Sequence, residues 1–134
     1  MGRVWVAAGI LYAPDSQKVL IAQRPDGLQL AGCWEFPGGK IKPGESPVGA
    51  LRRELAEEID IEVTECCLLL EYDHDYEHGG VRLFMHEVRA WRGEVRAREG
   101  QALKWVEPGE LAVMDMLAGS RPAIDAILGG GKVV

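Results

Sequence analysis

Residues 46–59 constrain the fold more than any other segment, because they carry both the start signal and the periodicity of an amphipathic helix. Ser46 is a favoured N-cap residue and Pro47 suits the first helical position. At about 100° per residue, one stripe of this helix is apolar. The stripe consists of Val48, Leu51, Leu55 and Ile59. We expect it to face the core.

Three carboxylates lie on the neighbouring stripe of the same helix, at Glu54, Glu57 and Glu58. Like charges at i, i+3 and i+4 repel and destabilise a helix unless something compensates them. Carboxylate oxygens suit hard cations such as Mg²⁺ or Mn²⁺, which proteins often share with substrate phosphates. A solvated acidic face explains the same spacing, since charged runs are usually exposed. The helix alone leaves both interpretations open.

The segment before the helix favours the metal interpretation. Residues 25–45 contain five Gly and three Pro, which predicts a long loop of the kind that usually serves function. Gly38-Gly39-Lys40 and Gly44-Glu45 lie at its end and lead into the helix. Glycine-rich loops in this position allow backbone groups to approach a phosphate or a metal closely.

The remaining pattern predicts an α/β or α+β fold with a mixed sheet, because strand and helix signals interleave. Apolar segments at 4–13 and 19–23, separated by Pro14-Asp15-Ser16, predict a β-hairpin. Further strands are predicted at 61–72, 81–91 and 102–106, a turn at 108–111, and a short helix at 121–128. The length of 134 residues favours one domain, at 1–128, followed by a Gly-rich tail at 129–134.

Composition excludes several classes of partner. The net charge of −6 argues against stable binding of a nucleic-acid polymer, but not against a small phosphorylated substrate held through a metal. The longest apolar run, 4–13, is about half of a membrane span, so we expect no membrane partner. Three cysteines without CxxC spacing indicate reduced thiols in a cytoplasmic protein. Nothing in the sequence indicates an oligomeric state.

Gly39, Glu45 and the sequence RELAEEIDI at 53–61 together resemble the Nudix box, with Asp60 where that family usually has Gly. Such a position usually takes the left-handed conformation, which Asp tolerates at modest cost. WEFPGGKI at 34–41 and EGQ at 99–101 further resemble the MutT-like branch. The resemblance covers nearly the whole chain.

This resemblance implies a Nudix α/β/α sandwich and hydrolysis of a nucleoside triphosphate to monophosphate and pyrophosphate. The substrate expected first is an oxidised purine nucleotide, 8-oxo-dGTP, whose removal prevents mutation. One alternative is a pyrophosphohydrolase for a pyrimidine nucleotide or a nucleotide sugar. The other is a ligand-binding Nudix domain without catalysis, which is disfavoured because every box carboxylate is present.

The resemblance also implies roles for the box residues. The expected ligands of Mg²⁺ or Mn²⁺ are the Gly38 carbonyl and the side chains of Glu54, Glu57, Glu58 and Glu99. Glu54 is expected to position or deprotonate the attacking water, with Glu99 as the alternative. Arg53 is expected to orient the carboxylates through charge-assisted hydrogen bonds, and Glu45 to support the cluster.

A second set of residues is expected to contact the nucleotide. They are Arg24, Glu35, Phe36, Lys40, Tyr76, Leu83 and Ser120. The resemblance matches Arg24, Glu35, Phe36 and Ser120 of this set to family positions. Trp5, Tyr76 and Leu83 are candidates for the apolar walls of a base pocket, with core packing as the alternative. Ser120 stands where family members that read 8-oxoguanine place an Asn, and its single hydroxyl cannot make the bidentate contact of an amide. His74 and His78 are assigned to a solvated turn.

Overall fold

The computed structural model describes residues 2–129, and its elements interleave as the sequence pattern predicts. The strands in this range are β1 Val4–Leu11, β2 Val19–Gln23, β3 Trp34–Glu35, β4 Gly38–Lys40, β5 Glu62–Tyr76, β6 Gly79–Arg92 and β7 Leu103–Val106. The helices are α1 Pro47–Ile59 and α2 Arg121–Gly129, with short 3-10 helices at Pro108–Ala112 and Ala118–Ser120. Helix α2 therefore includes Gly129, and the rest of the expected tail, 130–134, lies outside the described residues.

The strands form two sheets. A four-stranded sheet has the order β4-β1-β6-β5, and a three-stranded sheet has the order β3-β2-β7. Strands β1 and β6 run parallel, whereas β4 pairs antiparallel with β1 and β5 pairs antiparallel with β6. The predicted mixed α+β class is confirmed.

The helices cover opposite faces of these sheets. Alternate residues of a strand point to opposite faces, and in β1 Ala7 packs in one core cluster with α1 while Ala8 packs in another with α2. Leu51, Leu55 and Ile59 of α1 are fully buried, as their stripe predicts, whereas Val48 is 38% exposed near the helix start. The result is an α/β/α sandwich.

The predicted hairpin between β1 and β2 is wrong. The Ala13 N–H donates to the Lys18 carbonyl at 2.9 Å, and a single bridge joins Tyr12 to Val19, so the turn itself exists. Beyond it the strands separate, because β4 and β6 occupy both edges of β1 and leave no edge for β2. Strand β2 pairs with β3 and β7 instead.

Other differences concern element length. The predicted loop at 25–45 contains the two short strands β3 and β4, which its glycines and prolines conceal. Strands β5 and β6 extend to a tight connection at 77–78, and the predicted turn at 108–111 is a 3-10 helix. Within the described residues, no helix combines the length and the apolar character needed to cross a membrane.

Candidate active site

Both ends of α1 are fixed by specific contacts. At its start, the Ser46 hydroxyl accepts a hydrogen bond from the Gly49 N–H at 3.0 Å. At its end, Asp60 takes the left-handed conformation with φ 62°, as expected at this departure from the Nudix pattern. The N–H of Arg98 and the side-chain amide of Gln101 donate to the Glu58 carbonyl at 2.9 and 3.2 Å. These bonds satisfy a terminal carbonyl and bring Glu99 close to the helix.

Arg53 connects three carboxylates. Its Nε and Nη2 donate to the two oxygens of Glu45 at 2.6 and 2.9 Å. Its Nη1 donates to Glu54 Oε2 and to Glu57 Oε1, each at 3.2 Å. Nη2 also donates to the Lys40 carbonyl at 3.0 Å, which joins α1 to β4. The two bonds from Arg53, together with one from the Lys42 N–H at 2.9 Å, lower the pKa of Glu45 to about 2.

Strand β4 lies directly against these carboxylates. A Cβ atom added to Gly39 would lie 2.3 Å from Glu54 Cδ, and one added to Gly38 would lie 2.1 Å from the Ala7 carbonyl oxygen. Only glycine leaves room for both contacts. The Glu54 carboxylate is therefore enclosed between the guanidinium of Arg53 and the β4 backbone.

Glu58 is a largely buried carboxyl close to three other carboxylates. Burial, followed by the carboxylates of Glu54, Glu99 and Glu35, raises its pKa to about 8, against a hydrogen bond from the Gly38 backbone that lowers it. Within residues 2–129, no three His, Cys, Asp or Glu side chains surround one metal position. An oxygen-rich, negatively charged site of this kind fits a hard cation that completes its coordination with substrate phosphates.

The pKa of Glu58 predicts how stability depends on pH. Its folded-state value of about 8 exceeds the ordinary value of 4.5, so the folded protein binds this proton more tightly. In metal-free buffer, the free energy of unfolding should therefore fall as pH rises from 4.5 to 8. We expect Glu58→Gln to flatten this slope and to raise the free energy of unfolding at pH 8 by about 1–3 kcal/mol. Urea unfolding of both proteins across this pH range measures the free energy of unfolding. An equal pH dependence in wild type and Glu58→Gln would contradict the raised pKa of Glu58.

A cavity of about 560 Å³ opens beside these carboxylates, within the range of pockets that bind small molecules and cofactors. Of the residues expected from the sequence, it is lined by Arg24, Glu35, Phe36, Gly38, Lys40, Glu58, Tyr76, Leu83, Glu99 and Ser120. Glu45, Arg53, Glu54 and Glu57 do not line it. Glu45, Glu54 and Glu57 are instead ion-paired with Arg53. Among the residues that line the cavity, Glu58 is therefore the only carboxylate from α1.

Arg24 and Glu35 form an ion pair in the cavity wall, with Arg24 Nη1 at 3.1 Å from Glu35 Oε1. Burial raises the pKa of Glu35, and Arg24 partly opposes this shift. Arg24 Nε also donates to the Gln29 carbonyl at 2.8 Å, so the guanidinium holds the loop that follows β2. The pair gives the cavity fixed polar groups among its apolar walls.

One expected wall residue lies elsewhere. Trp5 is 49% exposed and packs against Phe84, with ring centroids 5.2 Å apart, while its neighbours Val4 and Val6 line the cavity. The candidate role of Trp5 as a base wall is therefore wrong, because alternate residues of β1 face opposite sides of the sheet. Tyr76 and Leu83 do line the cavity.

Sequence reasoning missed several lining residues. His78, assigned to a solvated turn, lines the cavity with its ring stacked on Tyr76 at 5.2 Å between centroids. Gln101, Leu117 and Gly119 also line it. The EGQ segment at 99–101 carried a signal for Gln101, whereas Leu117 and Gly119 reach the cavity only through the tertiary fold.

Comparison with known proteins places the chain in a family. Residues 7–126 match the model of the NUDIX domain. An 8-oxo-dGTP diphosphatase of Proteus vulgaris is 41% identical over 98 residues, which is 73% of this chain and 87% of that protein. A CTP pyrophosphohydrolase of Escherichia coli is 36% identical over 111 residues, 83% of this chain and 82% of that protein.

A solved structure from work on MutT of Aliivibrio salmonicida and Vibrio cholerae matches with a TM-score of 0.83 and 34% identity. The match covers 96% of this chain and 99% of that one. The chain belongs to the NUDIX domain family. It is a Nudix hydrolase, of a family that generally uses divalent metal ions.

Proposed function

We propose that this protein hydrolyses 8-oxo-dGTP to 8-oxo-dGMP and pyrophosphate, with Mg²⁺ or alternatively Mn²⁺. One observation carries the proposal: the same cavity is lined both by the carboxylates Glu58 and Glu99 and by the apolar side chains Phe36 and Leu83. The names of relatives such as the Proteus vulgaris 8-oxo-dGTP diphosphatase support the choice of substrate.

The proposed cation ligands are the Gly38 carbonyl and the side chains of Glu54, Glu57, Glu58 and Glu99. A divalent ion bound there neutralises phosphate charge and makes water more acidic. Arg53 holds Glu54 through Oε2 only, which leaves Oε1 to position the attacking water and accept its proton. Glu99 is the alternative acceptor. Glu45 acts through Arg53, whose orientation it fixes with two hydrogen bonds.

The substrate's remaining groups meet the rest of the cavity. Arg24 and Lys40 supply positive charge for phosphates, and Phe36, Tyr76 and Leu83 offer apolar surface for the base. Ser120 offers one hydroxyl to the edge of the base. We further propose one Nudix domain over 1–128 and action in the cytoplasm, where free cysteines such as Cys33 persist.

A second candidate function is hydrolysis of a pyrimidine nucleoside triphosphate such as CTP. Ser120 favours it, because a serine cannot make the two amide contacts expected for 8-oxoguanine. The Escherichia coli CTP pyrophosphohydrolase, at 36% identity, supports the same possibility.

A product-resolved hydrolysis panel with Mg²⁺ separates these functions. It includes 8-oxo-dGTP, dGTP, dCTP, CTP and a nucleotide sugar. The proposal predicts the highest kcat/KM for 8-oxo-dGTP, with monophosphate and pyrophosphate as products. Preference for dCTP or CTP would instead establish the second candidate, and no hydrolysis of any compound would support a binding domain.

We expect Ser120→Asn to increase discrimination between 8-oxo-dGTP and dGTP about tenfold. Ser120 is 8% exposed and lines the cavity, so an amide there gains both a donor and an acceptor toward the base. The ratio of kcat/KM for the two substrates measures the change. Ser16→Asn, in the exposed turn after β1, is the matched control. An unchanged ratio in Ser120→Asn would remove this residue from base recognition.

A further inference from the structure

Two tyrosine hydroxyls hold opposite sides of one residue in the cavity wall. The Tyr72 hydroxyl donates to the Gly119 carbonyl at 2.6 Å. The Gly119 N–H donates to the Tyr76 hydroxyl at 2.8 Å. Both tyrosines belong to β5, whereas Gly119 lies 43 and 47 residues further along the chain. These two bonds therefore connect the long β5–β6 hairpin to the 3-10 helix that precedes α2.

The contact at Gly119 admits no side chain. A Cβ atom added there would lie 2.3 Å from the Tyr76 hydroxyl oxygen and 3.0 Å from its Cζ. No positive φ occurs at this glycine, so the close approach of Tyr76, rather than backbone conformation, accounts for glycine here. The Tyr76 hydroxyl and the Gly119 peptide are therefore in direct contact.

The held residue is next to the one proposed to face the base. Ser120 is buried, and its N–H donates to the Leu117 carbonyl at 2.9 Å. Leu117, Gly119 and Ser120 all line the cavity together with Tyr76, whereas Tyr72 is not among the lining residues. A shift of the Gly119 peptide would move the Ser120 hydroxyl relative to the base.

The hydrogen bonds from Tyr72 to Gly119 and from Gly119 to Tyr76 should persist near neutral pH. Burial raises the pKa of Tyr72 to about 12 and also raises that of Tyr76. Both rings therefore stay protonated near neutral pH, with the Tyr72 hydroxyl as donor and the Tyr76 hydroxyl as acceptor.

We propose that Tyr72 and Tyr76 are positioning residues for base selection, which fix the Gly119 peptide so that Ser120 meets the base at a set distance. Tyr72 acts without touching the substrate. This inference rests on the proposed function only for the identity of the base. The predicted consequence is a loss of binding and discrimination, without loss of the chemical step.

The kinetic test uses Tyr72→Phe, which deletes only the hydroxyl outside the cavity. We expect KM for the best triphosphate of the panel to rise about three- to tenfold, the effect of one lost hydrogen bond. We expect kcat to change less than twofold, and discrimination between 8-oxo-dGTP and dGTP to narrow. Tyr12→Phe is the matched control, because Tyr12 is half-buried beneath Arg89 and does not line the cavity.

A stability test without substrate examines the contact itself. Gly119→Ala should lower Tm, because its Cβ meets the Tyr76 hydroxyl, and adding Tyr76→Phe should recover at least half of that loss. The pair Gly119→Ala with Tyr12→Phe should recover none of it. If Gly119→Ala lowers Tm by the same amount in the wild-type protein and in the Tyr76→Phe variant, the contact between residue 119 and the Tyr76 hydroxyl is overturned.

The two tests separate failure of this inference from failure of the proposed function. Unchanged KM and discrimination in Tyr72→Phe, in an active enzyme, would overturn the positioning role and leave the proposed function standing. A fall in kcat at unchanged KM would also overturn it. A wild-type protein that hydrolyses no nucleotide would overturn the proposed function and, with it, the role in base selection, whereas the Tm cycle would still decide the contact.

Discussion

Glu54→Gln is expected to lower kcat by about two to three orders of magnitude with the fold intact. The amide keeps the shape of the side chain but loses the charge proposed to bind a cation and the oxygen proposed to accept a proton. Glu54 also lies within 3.2 Å of Arg53 Nη1, and an amide oxygen preserves that hydrogen bond. Steady-state hydrolysis at saturating Mg²⁺ and nucleotide measures kcat, and circular dichroism verifies the fold.

Two further variants accompany Glu54→Gln: one controls for the loss of a negative charge, and the other tests a second proposed ligand of the cation. Glu62→Gln, at the exposed start of β5, also removes one negative charge near α1 and should retain full activity. Glu57→Gln should abolish most turnover, because Glu57 is a proposed ligand held by Arg53 at 3.2 Å. Near-normal rates in Glu54→Gln and Glu57→Gln would show that the cation is bound elsewhere.

Gly39→Ala is expected to lower kcat about tenfold to a hundredfold while costing little stability. Its Cβ would lie 2.4 Å from both oxygens of the Glu54 carboxylate, which can rotate away because it is the end of a flexible side chain. Activity then falls because the proposed catalytic oxygen is displaced. Kinetics and urea unfolding of the same preparation measure the two effects.

The neighbouring glycine provides the comparison for Gly39→Ala. A Cβ at Gly38 would lie 2.1 Å from the Ala7 carbonyl, which is backbone and cannot rotate away. Gly38→Ala should therefore lower the free energy of unfolding by about 3 kcal/mol. Gly109→Ala, with no heavy atom within 4 Å of its added Cβ, should leave both properties unchanged. Full activity in Gly39→Ala would contradict the placement of Glu54.

Local signals account for the parts of the fold that the sequence predicts well. Ser46 and Pro47 mark the start of α1, and the apolar stripe identifies its buried face, because both signals depend on neighbouring residues alone. The pairing of β1 depends instead on which strands reach its edges. Its partners β4 and β6 come from distant parts of the chain, so a local turn at 13–18 could not predict that β2 would leave the sheet.

The candidate site divides in the same way. The carboxylates of the Nudix box are readable because they are close together in sequence, on one helix and its leading loop. The cavity wall is assembled from distant segments, so neither Gly119 in that wall nor Tyr72, which holds it from behind, gave a sequence signal. Trp5 shows how sensitive a strand is to register, since a shift of one residue moves a side chain to the opposite face.

Product analysis in 18O-enriched water tests both the proposed reaction and its dependence on a divalent metal. Hydrolysis of 8-oxo-dGTP with Mg²⁺ should yield monophosphate and pyrophosphate. The resemblance to the MutT-like branch implies attack of water on the β-phosphorus, so we expect the 18O in the pyrophosphate. The bond that breaks joins the β-phosphorus to the oxygen between the α- and β-phosphorus atoms, and that oxygen remains on the monophosphate. Release of nucleoside diphosphate and phosphate would show that the proposed reaction is wrong, and an equal rate without divalent metal would show that the proposed cation site is wrong.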